Sequence, residues 1–421
     1  MLSEQQRTEL LDKISETVTK RFYGLHLKWI DWPTAVAKHR DQIVSATSDE
    51  AFELAVFRLL AELKRSHVGF FHTGLSRATS KMALCATYAP FSFGGEERWV
   101  FQDVHEGGPA ALAGIRPGDI LVSVEGRNFS PPEHPTFPIG STVTINVLTR
   151  GLSEAARSVS IPSVKQRANQ LPQVLPQPVV SHRRINHETG YLKIAAYPGE
   201  IGVDVANDMS RSIEKLKPCA RLIVDLRGNS GGGVAFLRAL SLLTPDRSPI
   251  GRFSHGKLVH TTVLEEDSFV FDRIPTSRLE LYLLVLKFGG TWLTKKVMGR
   301  PNPVTLVTEG RGAQPFHGRV VLLVDRHTAS ANEMLIAAAR EWKLAMTVGE
   351  PTPGRVLGGA KFKLPYGYWL ALPVGAYQTT TGDEIEGQPI PPDVLAEFDH
   401  EQARAGVDTQ LEKAIEVVSQ L

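Results

Sequence analysis

Ser330 lies in VVLLVDRHTASANEMLIAAA, residues 320–339, where an apolar strand passes into an amphipathic helix. The pattern predicts a serine hydroxyl held clear of a sheet, with a helix N-terminus behind it. A serine so placed can be a nucleophile if a neighbouring group takes its proton. The segment VGEPTPGRVLGG that follows carries a cation, Arg355, and no lysine or histidine that could act as a base. Arginine does not release its proton in a protein, so the base has to come from elsewhere. Ser330 and Glu333 also have the form of a capping box, which would make the serine a structural N-cap. The glycine-rich DLRGNSGGG upstream, residues 225–233, favours the chemical reading.

Several elements must position these residues. A chain of 421 residues is too long for one core, so two or three domains are expected. Hydrophobic content of 42% and charged content of 22% are ordinary for a globular protein. A net charge of +2 gives no electrostatic case for nucleic acid or an anionic membrane. No apolar run approaches the roughly 20 residues that span a bilayer, and MLSEQQRTELLDKISETV lacks the pattern of a secretory signal. A cytoplasmic protein is expected. Cys85 and Cys219 make neither a disulfide framework nor a metal site, and no metal or other cofactor is expected.

Residues 1–85 read as helical. Ser3 and Gln6 form a capping box, and Leu10, Leu11, Ile14, Val18 and Phe22 recur at helical spacing. A second helix is predicted over about Asp49–Lys64, followed by the strand-like SHVGFFH of residues 66–72. Residues 86–165 change character: the strand Trp99–Phe101, a short helix through Ala110, Ala111 and Ala113 that ends at Gly114, a Pro117–Gly118–Asp119 turn, and the strand Ile120–Val124. Residues 166–182 are rich in Pro and Gln and read as a linker. Residues 183–421 alternate strand and helix, the signature of an α/β layer. The apolar stretch Leu279–Trp292, within a segment of unclear chemistry over 250–316, reads as a packed helix or as a contact between copies in a homo-oligomer.

The segment GPAALAGIRPGDILVSVEG resembles a PDZ domain. That resemblance implies peptide binding by strand addition, with a terminal carboxylate cradled in backbone N–H groups near Ala89–Gly94. DLRGNSGG, then TASANE around Ser330, then GQPIPPD over 387–393, downstream of this block, resemble the C-terminal processing (tail-specific) peptidases and their relative, the tricorn protease. The resemblance implies an α/β core of ClpP/crotonase-like type, with a small β-rich PDZ domain inserted or preceding and an N-terminal helical region. In the tail-specific enzymes a lysine stands in the segment where this chain has Arg355. The tricorn-like branch uses a Ser–His–Glu triad instead. Its Ser-His pair is matched by Ser66–His67, and its glutamate, counted back from the aspartate of a Pro-Asp pair, falls on Glu386.

On that resemblance Ser330 is the nucleophile, His67 the base and Glu386 the orienter, with Ser66 beside the histidine. The N–H groups of Gly231 and Ala331 are the expected oxyanion donors. Gly232 lets a substrate approach, and Arg355 is left to hold a substrate carboxylate. Lys361 or Lys363 could supply a substitute Ser–Lys dyad. His72 shares the strand-like segment with His67 and should face the other way. His327 should sit on the outer side of the Ser330 turn, and Glu384 competes with Glu386. Asp225 and Arg227 read as structural. Two functions follow: a serine endopeptidase acting on peptides or proteins with an accessible C-terminus, and a non-catalytic homologue binding a peptide or apolar ligand.

Overall fold

The structure is a computed structural model that describes residues 2–23, 30–165, 170–254, 269–284, 286, 304–310 and 316–421. The predicted capping box forms: Ser3 N–H donates to Gln6 Oε1 at 2.8 Å and Ser3 Oγ accepts from Gln6 N at 3.2 Å, opening the helix Glu4–Arg21. A helix Trp32–Val44, capped by Asp31, precedes the predicted one, which runs over Asp49–Ala61. The first of these has a thin apolar period, burying only Trp32, Ala35 and Ile43, and so escapes pattern reading. The three helices share a core with Leu357, Leu364, Tyr368, Leu370 and Leu372 from near the other end of the chain. The N-terminal region therefore has no core of its own. The strand Gly69–His72 completes the junction by pairing antiparallel with Tyr368–Thr379.

The catalytic-looking motifs sit on a second sheet, ordered Val180–Arg184, Thr189–Ile194, Arg221–Asp225, Arg319–Val324, Met346–Gly349 and Val394–Leu395. Its four central strands are mutually parallel. Such strands need cover on both faces. The helices Val203–Leu216, Phe236–Ser241 and Ala331–Glu341 cover one, and Thr409–Gln420 the other. Val180 opens the first strand, so the tail of the predicted linker belongs to the sheet. Asp225 pairs in register with Leu323. The glycine loop and the Ser330 turn thus leave adjacent parallel strands at their C-terminal ends, where α/β sheets place their sites.

The PDZ-like block is a sheet ordered Ala86–Phe93, Glu96–Val104, Ile120–Val124, Thr142–Leu148 and Glu154–Ser160. The short helix Pro109–Leu112 and the turn at Gly118 fall as predicted. Between Asn128 and Thr142 a two-residue strand, Phe137–Pro138, is the regular element present. The block docks on the core through paired side chains: Asp103 with Lys193 at 2.8 Å, and Gln102 Oε1 with His327 Nε2 at 2.8 Å. Phe91 packs on Phe398 and His400, at ring separations of 5.8 and 5.4 Å. In the apolar stretch, Leu279, Tyr282, Leu283 and Leu286 are exposed, and Leu284 packs on the core. Residue 285 and the part of the predicted element beyond Leu286 lie outside the described residues.

Candidate active site

Ser330 is the residue before the helix Ala331–Glu341, with φ 57° and ψ −112°. Positive φ in a non-glycine residue is strained, of order 1–3 kcal/mol, and persists where surrounding bonds over-determine it. The bonds are present. Buried Asp325 accepts from His327 N (2.9 Å) and Thr328 Oγ1 (2.8 Å) through Oδ1, and from Gly228 N (3.0 Å) through Oδ2. The turn and the glycine loop are also stitched by Ala329 N to Asn229 O at 3.1 Å and Asn332 Nδ2 to Asn229 O at 2.6 Å. The capping-box reading is half right. Glu333 Oε2 accepts from Ser330 N at 2.9 Å and also from Arg355 N at 2.8 Å, while Oε1 accepts from Gly354 N and Thr352 Oγ1, both at 2.6 Å. Burial raises the Glu333 pKa and these donors work against it. Glu333→Gln would turn an NH2 group toward N–H donors. Its expected cost is about 1–3 kcal/mol, read from chemical denaturation.

Gly231 backs directly onto the serine. A Cβ there would lie 2.8 Å from Ser330 Cβ and from Ala331 N, and φ is +87°, so only glycine fits. The expectation for its N–H needs correcting: it donates to Asn229 Oδ1 at 2.9 Å, closing an Asx turn instead of pointing free into the site. Ala331 N–H, the first amide of its helix, has no intrahelical acceptor and lies at the positive end of the dipole. At Gly232 a Cβ would meet Tyr197 O at 2.2 Å, so the room this glycine makes is taken by the backbone at Tyr197, with which it forms an isolated bridge.

His67 lies in the turn before the strand Gly69–His72, not in the strand, with φ +60°. Ser66 Oγ meets His67 Nδ1 at 2.7 Å and Glu386 Oε2 at 2.7 Å, and Ser66 N–H donates to Glu386 Oε1 at 2.8 Å. Glu386 thus reaches the imidazole through the Ser66 hydroxyl and not directly, as the triad expectation had it. An ionised carboxylate only accepts, so Ser66 donates to Glu386 and accepts from Nδ1–H. That fixes the tautomer and leaves the Nε2 lone pair free. The packed surroundings lower the His67 pKa, Glu386 opposes this and Arg355 adds to it. The imidazole nonetheless keeps an exposed face.

Two carboxylates join the halves. Glu333 holds Arg355 N–H and Glu386 Oε2 holds the next amide, Val356 N–H, at 3.0 Å. The serine turn and the Ser66–His67 pair are therefore anchored to one dipeptide. The competitors are elsewhere. His72 Nδ1 accepts from Gly74 N at 3.0 Å and its ring lies on Tyr368. His327 faces the PDZ-like block, on the outer side of the turn as predicted. Glu384 pairs with Gln378 as an isolated bridge. Lys361 and Lys363 are exposed on the strand Leu357–Lys363, whereas a lysine base needs burial to shed its proton.

Asp225 is structural, as expected. Burial alone would raise its pKa, but Arg227 and Lys193 hold it well below the carboxylate range. Sequence reading missed Lys193, Lys81, Asp103 and Asp325. Lys81 is half-buried, its ammonium donates to Gly228 O, and desolvation pushes its pKa down to about 8. None of these carries a motif signal, because each acts across a domain or loop boundary. Both cysteines are free and buried. Among the described residues no His/Cys/Asp/Glu group could hold a metal ion, and no helix is long and apolar enough to cross a membrane.

Residues 188–396 match the model of peptidase family S41, and residues 100–134 that of a PDZ domain. The chain is similar to the chloroplastic carboxyl-terminal-processing peptidase 2 of Arabidopsis thaliana, 24% identical over 335 residues, 76% of this chain and 54% of the relative. It is similar to the carboxyl-terminal-processing protease of Picosynechococcus sp., 23% identical over 325 residues, 75% of this chain and 65% of the relative. A Streptomyces coelicolor protein named as a tricorn protease homolog is 23% identical over 410 residues, 91% of this chain and 30% of its own length. The chain thus spans less than two thirds of each of these relatives. Among solved structures, the photosystem II D1 C-terminal processing protease aligns with a TM-score of 0.54 at 19% identity, covering 99% of this chain and 98% of that one. Mature CPAF in complex with lactacystin aligns at 0.59 and 16% identity, with the same coverage. These likenesses show the fold.

Proposed function

We propose that this chain, which carries a peptidase family S41 domain and a PDZ domain, is a serine endopeptidase with Ser330 as nucleophile and His67 as base. One observation supports it above the rest: the Glu386–Ser66–His67 relay, tied through adjacent backbone amides to the strained Ser330 turn. In this reading His67 Nε2 takes the Ser330 proton as Oγ attacks the scissile carbonyl carbon. The Ala331 N–H, at the positive end of its helix, stabilises the oxyanion. The imidazolium then gives its proton to the leaving amine, and water repeats the sequence on the acyl-enzyme. Ser66 and Glu386 hold the imidazole orientation and offset its positive charge. The strand Ala86–Phe93 is an edge of its sheet, which suits the PDZ domain to take a peptide C-terminus as an added strand.

A fluorophosphonate probe tests the reading: it labels Ser330 in the native chain and fails with Ser330→Ala. Because the His67 pKa is lowered, its neutral form persists to lower pH than usual. The acid limb of kcat/KM is expected below about 6.5. A limb near or above about 8 would point to a lysine base instead. Ser66→Ala removes the acceptor for Nδ1–H, and kcat is expected to fall by about 100-fold with little change in KM.

A further inference from the structure

Arg355, in the dipeptide that both carboxylates hold, carries a cation with no ionic partner among the described residues. Its backbone is fixed, since its own amide is held by Glu333 and the next by Glu386. Its side chain is exposed, and among the described residues no carboxylate lies within 4.0 Å of its guanidinium. The two acids nearest in the backbone network are already engaged. Glu333 takes the N–H groups of Ser330, Gly354 and Arg355 and the Thr352 hydroxyl. Glu386 takes the amide and hydroxyl of Ser66 and the Val356 amide. A guanidinium left free beside a site is suited to bidentate recognition of a carboxylate.

We propose that Arg355 is the subsite for a substrate carboxylate next to the scissile bond, either the C-terminal carboxylate of a peptide or an Asp or Glu side chain. The inference rests on the serine-peptidase reading of the site and deepens it: cleavage close to a chain end, or beside an acidic residue, is favoured. The same contact assists the chemistry. The Arg355 charge opposes protonation of His67, and a carboxylate seated on it relieves that opposition as the imidazolium forms.

The full chain carrying Ser330→Ala binds peptides without turning them over, which separates recognition from catalysis. Fluorescent peptides are compared in matched pairs by anisotropy, one pair differing as C-terminal acid against amide, the other as internal Asp against Asn. The carboxylate member of at least one pair is expected to bind about tenfold tighter. The gap closes in Ser330→Ala/Arg355→Gln and survives in part with Arg355→Lys. Which pair shows it identifies the source of the carboxylate. Equal binding within both pairs overturns the proposal, as does a gap that persists without Arg355, which would assign carboxylate capture to the PDZ domain. Turnover of the same peptides by the native chain reads the peptidase assignment separately. A gap dependent on Arg355 with no turnover and no probe labelling would keep the subsite and sink the peptidase.

Discussion

Replacing His67 by alanine is expected to lower kcat/KM by about 10⁴-fold while leaving the fold intact. The imidazole stands in a turn and keeps an exposed face, and its hydrogen bond goes to Ser66, which Glu386 holds independently. On the proposed reading its loss therefore removes a base without opening a core. Ser330→Ala should be at least as severe, and the double variant no worse than the more severe single change, because on the proposed reading the two residues act as one unit. The alternative predicts another pattern. If Lys361 were the base, Lys361→Ala would collapse activity and His67→Ala would spare it. The measurements are kcat/KM on a common peptide and fluorophosphonate labelling for the three single variants. Retention of more than about a tenth of the activity in His67→Ala would remove the histidine from the mechanism.

How far the site was legible follows from where each signal lies. Ser330 and the glycine loop sit inside a strand–loop–helix pattern, and hydrophobic periodicity exposes such patterns within one stretch of chain. His67 and Glu386 are separated by hundreds of residues, and no periodicity links them; the Ser-His pair and the count to Asp393 did so only through a family resemblance. The Ser66 relay was out of reach because it depends on the φ of +60° at His67, which carries the ring out of the strand that pattern reading had assumed. Gly231 illustrates a different limit. Glycine there signalled close approach, and the approach is real, but which N–H it frees depends on an Asx turn with Asn229. The helix Trp32–Val44 was missed because one thin stripe suffices when neighbouring helices and strands complete the core.

Lys193→Met is expected to be the most damaging substitution outside the Ser330–His67 machinery, costing roughly 3–5 kcal/mol of stability. The Lys193 Nζ lies 2.8 Å from Asp103 of the PDZ-like block, 3.4 Å from Asp225 and 2.8 Å from Arg227 O. Burial alone would lower its pKa, and Asp103 and Asp225 more than reverse this, so it stays charged well above the usual lysine range. Methionine fills similar volume but leaves two carboxylates facing each other, one of them wholly buried. The pH dependence follows from Asp225, whose folded pKa is depressed. Its contribution is present above the unfolded value of about 3.9 and is lost as pH falls through the folded one. Asp225 contributes less once Lys193 is gone, so the deficit of Lys193→Met should narrow below about pH 4. Asp103→Asn in the same chain should restore part of the loss by removing one unpaired charge. Because Asp103 lies so close to Gly228 that a Cβ there would fall 2.3 Å from its Oδ2, the same break should loosen the glycine loop beside Ser330. Urea midpoints and fluorophosphonate labelling rates, followed together across Lys193→Met, Asp103→Asn and the double variant, measure both effects. A midpoint that falls while labelling holds would show that the PDZ-like block stabilises the core without shaping the surroundings of Ser330.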